Sequence, residues 1–242
     1  MEFYHKSVLL NETIDALAIK QDGIYVDCTL GGAGHTSLIL SKLGPDGRVI
    51  CFDQDKEAIE AAKKRLQGYN PTFINKNFEF LSSELEALDI EKVDGILMDL
   101  GVSSYQLDNK DRGFSFHEDA PLDMRMSGEG QSAYDVVNEY SQEELERILF
   151  NYGEEKFARG IVKGIMRARE QGPVETTGQL AEIIKRNVPI KVRNEKNPCR
   201  KTFQAIRIEV NKELEVLETA LVAGFDRLKI GGRMSVITFH SL

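Results

Sequence analysis

The chain has 242 residues, 41% of them hydrophobic, and a formal net charge of −8 at pH 7. This leaves room for one α/β domain with an insertion, or for two small domains, and it excludes a protein that coats nucleic acid by charge alone. The longest uncharged apolar run near the start, Val8-Leu9-Leu10, is too short for a signal peptide or a membrane span, so we expect a cytoplasmic protein with no membrane partner.

Hydrophobic periodicity and turn residues predict a run of alternating strands and helices. An amphipathic helix is expected within residues 3–19, strands at 23–26, 47–53, 72–75 and 93–99, and helices at 38–43, at 55–66 with Asp55 as its cap, and after Ser82 or Ser83. The alternation stops near residue 105. Three helices are then expected near 142–152, 155–170 and 177–187, followed by one long helix at 202–228 and a glycine turn into a fifth strand at 231–240. The pattern predicts an α/β core with a helical insertion.

The glycine-rich turn after the first strand, Gly31-Gly32-Ala33-Gly34-His35, is the first candidate binding site. Glycines tolerate positive φ and let a ligand approach the backbone, and the free amides of the next helix face the turn. Asp53 ends the second strand about 20 residues later, where nucleotide-binding folds hold ribose hydroxyls. NAD-type dinucleotides and S-adenosylmethionine share this geometry. Ser37 stands where a dinucleotide site needs a third glycine, and Asp27 offers an acid for an amino group, so we favour S-adenosylmethionine.

The fourth predicted strand ends at Asp99, followed by a loop of small residues. The carboxyl ends of the first and fourth strands meet at the switch point of such a sheet, where ligands bind. Cys28, Cys51 and Cys199 form no CxxC pair and accompany no histidine cluster, so we expect neither disulfides nor a metal site.

A local basic excess lies within the acidic chain. Between residues 185 and 207, eight basic side chains stand against one acid: Lys185, Arg186, Lys191, Arg193, Lys196, Arg200, Lys201 and Arg207 against Glu195. This imbalance favours a phosphate-bearing partner. The range 185–207 is called the basic segment below.

Long strings of residues along nearly the whole chain resemble one family. They are 4–10 (YHKSVLL), 31–35 (GGAGH), 99–104 (DLGVSS), 112–116 (RGFSF), 121–126 (PLDMRM), 152–155 (YGEE), 202–205 (TFQA) and 239–242 (FHSL). The chain resembles the MraW/RsmH family, bacterial S-adenosylmethionine-dependent 16S rRNA (cytosine-N4)-methyltransferases. The resemblance implies a class I, Rossmann-like methyltransferase core at residues 1–108 and 206–242, with a substrate-recognition insertion at 109–205 and the small ribosomal subunit as partner.

Carried over by position, the resemblance implies a cofactor site made of seven residues: Ala33, Gly34, His35, Asp53, Phe78, Asp99 and Gln106. Gln106 follows from the resemblance alone. Two residues depart from the family pattern: Ala33 replaces a usual glycine, and Lys201 replaces an arginine, which weakens a bidentate phosphate contact. Family members also continue past residue 242. We therefore expect the chain to be truncated before the last core strands, with the fifth strand an open edge, activity weak or absent, and a homodimer possible if a second copy covers that edge.

Methyl transfer to a cytosine amine needs alignment of donor and acceptor more than covalent catalysis. Asp99, or the backbone carbonyls of residues 100–103, is expected to accept from the amine, and Tyr105, Phe114 or Phe116 to stack on the exposed base. His240 and Ser103 are weaker candidates for facing the base. Three alternatives stay open: a DNA methyltransferase, although the string after the fourth strand lacks the paired prolines of that class, a catalytically silent ribosome-assembly factor, and a dinucleotide oxidoreductase.

Overall fold

The computed structural model describes residues 7–194 and 197–240. The start of the first family string and the last two residues of the final one, Ser241 and Leu242, lie outside the described residues. The strands are β1 (Ile24–Asp27), β2 (Arg48–Phe52), β3 (Thr72–Ile74), β4 (Val93–Asp99) and β5 (Leu228–Ile237). The helices are α1 (Leu10–Leu17), α2 (Gly34–Lys42), α3 (Lys56–Arg65), α4 (Leu81–Ala87), α5 (Ser104–Asp108), α6 (Ala133–Glu139), α7 (Gln142–Asn151), α8 (Ala158–Arg169), α9 (Thr177–Arg186), α10 (Ile190–Arg193), α11 (Arg200–Asn211) and α12 (Glu213–Arg227).

The five strands form one parallel sheet in the order β3-β2-β1-β4-β5. After β1 the chain builds outward through β2 and β3, then returns to place β4 on the other side of β1. The switch point therefore lies between β1 and β4, where a ligand crevice opens at the carboxyl ends of the strands. This arrangement confirms the predicted α/β fold class.

Apolar side chains cover both faces of the sheet. Tyr25 and Cys51 belong to one buried cluster, which includes residues of α1, α2 and α3. Val26 and Phe52, their neighbours in sequence, belong to a second cluster with residues of α4 and α12. The alternation follows from the pleat, which sends successive side chains to opposite faces. Strands buried on both faces read as continuous apolar runs, which is why the sequence identified them.

The chain divides into two compact units. The sheet unit comprises the chain up to Tyr105 together with the chain from Leu214, and the helical unit runs from Gln106 to Glu213. The predicted boundaries were after residues 108 and 205. The second boundary lies further along the chain because α11 packs against α6 and α7 and belongs to the helical unit.

Three local predictions were wrong, and one helix was missed. Neither Ser82 nor Ser83 caps α4: Asn77 accepts from the Glu79 amide and starts a 3₁₀ turn that leads into α4. The predicted long helix is broken at Lys212, whose φ is +49°, and so becomes α11 and α12. The glycine pair at 231–232 does not precede β5 but forms an irregularity inside it. Helix α6 was missed, although its capping box of Ser132 and Asp135 is visible in the sequence.

β5 ends the strand order of the described sheet, and Ile230 on it is fully exposed. Within residues 7–194 and 197–240, no helix combines the length and apolar character needed to cross a bilayer.

Candidate active site

The turn between β1 and α2 contains two residues with positive φ. Gly31 has a φ of +45° and Ala33 a φ of +58°. Ala33 is fully buried and precedes the first residue of α2, Gly34. A non-glycine residue in this region costs about 1–2 kcal/mol. The Cβ of Ala33 is thus tolerated, but at a conformational cost.

The two glycines on either side of Ala33 have different surroundings. A Cβ on Gly34 would lie 2.0 Å from the Ser7 hydroxyl oxygen, so the Ser7 side chain would have to move to admit any larger residue. Among the described residues, a Cβ on Gly32 would meet only the Arg65 guanidinium, at 3.8 Å. The space beside Gly32 is therefore the open side of the turn.

Asp53 is joined directly to the glycine turn. Its Oδ2 accepts from the Gly31 amide at 2.8 Å, and its Oδ1 accepts from the Asp55 amide at 2.9 Å. Burial raises the pKa of Asp53 to about 6, although both amide hydrogen bonds favour the charged form. Asp55 in turn caps α3 by accepting from the Glu57 amide, as predicted. Each Asp53 oxygen keeps a further lone pair, so the carboxylate can still accept from a diol.

Asp27 does not have the ligand-facing role expected of it. It is 1% exposed, and its carboxylate accepts from the Thr36 hydroxyl at 2.6 Å and the Thr29 amide at 3.1 Å. Burial raises its pKa, against the effect of these hydrogen bonds. The expectation that Asp27 meets an amino group of the ligand was wrong. The side chain is buried, and its hydrogen bonds to Thr36 and Thr29 stabilise the turn instead.

Asp99 lies at the end of β4, on the same edge of the sheet as Asp53. Its amide donates to the Thr29 hydroxyl at 2.7 Å, which ties the end of β4 to the segment after β1. Its Oδ2 lies 3.9 Å from Nδ1 of His35, and its side chain is 24% exposed. The acid of the fourth strand and the glycine turn are therefore neighbours.

The His35 side chain is enclosed by protein. The imidazole is 5% exposed, and its Nε2 hydrogen-bonds to the Val8 carbonyl at 3.1 Å. Because a carbonyl only accepts, Nε2 carries the proton and Nδ1 is the nitrogen that faces Asp99. Any contact of His35 with a cofactor therefore involves its backbone.

The other two predicted cofactor residues have different settings. Phe78 lies in the 3₁₀ turn after β3, half-buried against the second core cluster. Gln106 is buried in α5 and is the first residue of the helical unit. Among the aromatic residues expected to stack on a base, Tyr105 is 45% exposed, whereas Phe114 is buried and Phe116 packs edge-on against Phe203. These contacts favour core packing for Phe114 and Phe116.

Glu195 and Lys196 of the basic segment lie outside the described residues, and the charges of its described residues are only partly neutralised. Arg207 is paired with Glu213 at 2.7 Å, and Lys185 and Arg186 share Glu182. Two side chains are tied to carbonyls: Arg193 donates to the Lys185 carbonyl and Lys201 to the Glu154 carbonyl. A cation bonded to a carbonyl keeps its net charge, so the segment remains an attractive surface for phosphate.

Comparison with known proteins assigns the family. The model of the MraW methylase family matches residues 2–242. The chain belongs to the MraW methylase family. Ribosomal RNA small subunit methyltransferase H of Clostridium botulinum strain Kyoto / Type A2 is 59% identical over 244 residues, covering 100% of this chain and 79% of that protein. The protein of the same name from strain Loch Maree / Type A3 gives the same identity and coverage.

Among solved structures, an rRNA methylase from Streptococcus thermophilus is 20% identical, covers 48% of this chain and 70% of its own, and superposes with a TM-score of 0.34. That likeness is too low to add to the family assignment.

S-adenosylmethionine is the cofactor of this MraW-family chain. The residues present fit it. Two carboxylates lie against the glycine turn, Asp53 on the Gly31 amide and Asp99 beside the His35 ring, and they suit a ligand that carries a positive sulfonium and a ribose diol. Within the described ranges, no group of three or more His, Cys, Asp or Glu side chains is arranged to hold a metal ion.

Sequence reasoning missed the hydroxyl groups that organise this MraW-family site. Thr29 joins β1 to Asp99, and Thr36 braces Asp27. The available hint was that both threonines flank a glycine turn next to a strand-end acid. Hydroxyls at such positions commonly hold backbone groups and carboxylates.

Proposed function

We propose that this protein transfers a methyl group from S-adenosylmethionine to N4 of a cytosine in the 16S rRNA of the bacterial small ribosomal subunit. Action on small-subunit rRNA is supported by the names of the relatives that are 59% identical over the whole chain. The choice of a cytosine amine rests on the family resemblance and on the chemistry available at Asp99.

The observation that carries the proposal is the joining of Asp99 to the glycine turn. The Thr29 hydroxyl holds the Asp99 amide at 2.7 Å, and the Asp99 carboxylate is 3.9 Å from the ring of His35, the second residue of α2. A partly exposed carboxylate beside a cofactor turn is suited to accept a hydrogen bond from an amine that is about to attack. The carbonyls of residues 100–103 are the alternative acceptors.

In the proposed site, Asp53 holds the ribose of the cofactor and Phe78 lies near its adenine. The backbone of Ala33, Gly34 and His35 contacts the rest of the cofactor, together with Asp99 and Gln106. The cofactor supplies an electrophilic methyl group on a sulfonium sulfur. The protein holds acceptor and donor in line, an effect that lowers reaction barriers by about 7–11 kcal/mol. Asp99 accepts from the exocyclic amine of cytosine, which favours the pyramidal nitrogen needed for attack.

The proposed partner of the helical unit is RNA. Its basic segment offers cations to phosphates, and a cytosine in structured RNA has to leave its stack before its amine is reached. We place the reaction in the cytoplasm, where small subunits assemble, without a membrane or a metal ion. A second copy of the chain that pairs with the open edge of β5 is part of the proposal as a possible homodimer.

The test uses enzyme in excess over substrate, so that slow turnover does not hide the product. Small subunits, naked 16S rRNA and DNA of matched length are each incubated with labelled S-adenosylmethionine and digested to nucleosides. The proposal expects label in N4-methylcytidine from a ribosomal substrate. Label in DNA alone would favour a DNA methyltransferase. Cofactor binding without any transfer would favour a silent assembly factor, the second candidate.

Replacing Asp99 tests its role separately. Asp99→Ala is expected to abolish transfer while leaving the thermal unfolding temperature close to that of the wild type, because the Thr29 hydrogen bond uses only the Asp99 backbone. Asp99→Asn keeps the shape and removes the charge, and serves as the matched variant. Full activity in both variants would remove Asp99 from the chemistry and leave the backbone carbonyls as acceptors.

A further inference from the structure

The helical unit contains a cavity of about 570 Å³. It lies between the end of α7, the loop that leads into α8, and the residue after α9. Its lining includes Phe150, Lys156, Phe157, Arg159 and Asn187. Pockets of roughly 300–1,000 Å³ are the usual size for a small organic ligand. A single nucleotide is a ligand of this size.

An exposed aromatic ring forms one wall of the cavity. Phe150 is 68% exposed, although it belongs to an α7 whose other apolar residues Leu145, Ile148 and Leu149 are buried. Phe157 lies half-buried in the same lining. Flat apolar rings open to solvent provide stacking platforms for nucleobases, and such stacking is tolerant of base identity.

Two cations and two acids line the cavity: Lys156 and Arg159, with Glu146 and Glu155. Lys156 and Arg159 are exposed, and Arg159 is only loosely paired with Glu146, at 3.8 Å. Glu155 is 5% exposed, and one of its oxygens already accepts from the Phe157 amide at 3.0 Å. The two cations are therefore more exposed than the two acids, because Glu155 is buried and Glu146 is partly buried beside Arg159, and a phosphate can reach Lys156 and Arg159 from solvent.

The cavity adjoins the basic segment at two places. Asn187, in the lining, directly follows Lys185 and Arg186 of that segment. Lys201 donates to the carbonyl of Glu154, the residue before Glu155. An RNA strand that follows the basic segment would therefore pass the opening of the cavity.

We propose that this cavity holds one unpaired nucleotide of the RNA substrate, with its base stacked on Phe150 and its phosphate on Lys156 and Arg159. The proposal rests on the proposed action on RNA and adds a site for it in the helical unit. It explains why an exposed aromatic ring, two exposed cations and the basic segment lie next to one another.

The absence of tryptophan from the sequence provides a direct test. Phe150→Trp introduces a single tryptophan into the cavity wall, and Phe225→Trp introduces one at an equally exposed phenylalanine of the sheet unit, 77% exposed on α12. Titration with a short single-stranded oligoribonucleotide should quench the fluorescence of Phe150→Trp in a saturable way and leave that of Phe225→Trp unchanged. Equal quenching in both variants, or none in Phe150→Trp, would overturn the proposal.

Affinity measurements complete the test. By fluorescence anisotropy, Phe150→Ala should bind the labelled oligoribonucleotide about 5- to 150-fold more weakly, the range expected for loss of one stacked base. The double variant Lys156→Ala, Arg159→Ala should also bind more weakly, whereas Lys163→Ala, an exposed lysine further along α8, should match the wild type. Unchanged affinity of Phe150→Ala and of the double variant would contradict the proposal. Because the readout is binding, it is independent of methyl transfer: retained rRNA methylation with no tryptophan quenching defeats this site alone.

Discussion

We predict that the Asp53 carboxylate lowers the unfolding free energy of the cofactor-free protein at neutral pH. We also predict that it strengthens cofactor binding. Its folded-state pKa is about 6, against an ordinary value of 3.8, because the carboxylate is partly buried. A shift of this size corresponds to about 3 kcal/mol at neutral pH. Because the folded pKa is raised, the contribution of Asp53 to stability is fully present below pH 3.8 and is lost as the pH rises through about 6.

Asp53→Asn removes the charge and is predicted to have opposite effects on stability and binding. The amide oxygen can accept from only one of the Gly31 and Asp55 amides, and losing the other bond costs about 1–2 kcal/mol. We therefore expect a net gain of roughly 1 kcal/mol in unfolding free energy at pH 8 and a loss of similar size at pH 4. Affinity for S-adenosylmethionine should fall by about 10- to 150-fold, since a charged acceptor contributes about 1.5–3 kcal/mol.

The assay is urea unfolding of both proteins between pH 4 and pH 8, together with calorimetric titration of the cofactor at pH 8. The difference between the two proteins isolates Asp53, because other groups with shifted pKa values, such as Asp27, are common to both. A difference in unfolding free energy that does not change with pH would refute the reasoning about burial. Unchanged cofactor affinity would refute the assignment of the ribose to Asp53.

Three further predictions concern residues that stabilise the site and the sheet, namely Thr29, Ala33 and Asp94. Thr29→Val should lower stability by about 1–3 kcal/mol and reduce turnover, since the Asp99 amide loses its acceptor, and Thr29→Ser should restore both in urea unfolding and kinetic assays. Ala33→Gly should stay within about 1 kcal/mol of the wild type, because relief of the +58° φ offsets the added chain freedom, whereas Ala33→Val should lose more than about 2 kcal/mol. Burial alone would raise the pKa of Asp94, but hydrogen bonds from Lys229 and Lys20 hold it at about 2, so its contribution is present above pH 3.8 and disappears as the pH falls through 2. Asp94→Asn should cost about 1–3 kcal/mol at pH 7 and much less at pH 2, and equal cost at both would contradict the pairing.

The inner strands β1, β2 and β4 could be predicted because they are buried on both faces and so read as apolar runs that end in polar residues. The strand-end acids Asp53 and Asp99 followed from this pattern. The break at Lys212 could not be predicted, because neither glycine nor proline marks it and the local residues favour helix. The structure shows the left-handed residue directly after α11, a helix that packs against α6 and α7.

The position of the site at the carboxyl edge of the sheet could be predicted from the sequence. The roles of individual residues could be predicted less well. The pattern identified the glycine turn and Asp53, but it could not distinguish an acid that faces a ligand from one that braces the fold. Asp27 belongs to the second kind, because the Thr36 and Thr29 groups enclose it. That distinction depends on burial, which sequence spacing does not encode. Gln106 followed from the family resemblance alone, since nothing in its local sequence marks it.

The central claim is that a sulfonium nucleoside binds across the carboxyl ends of β1, β2 and β4. Calorimetric titration of the wild-type protein with S-adenosylmethionine, repeated in the presence of excess NADH, tests this most directly. We predict one saturable site per chain and an affinity that NADH leaves unchanged. No heat of binding at millimolar cofactor, or displacement of the cofactor by NADH, would contradict the account.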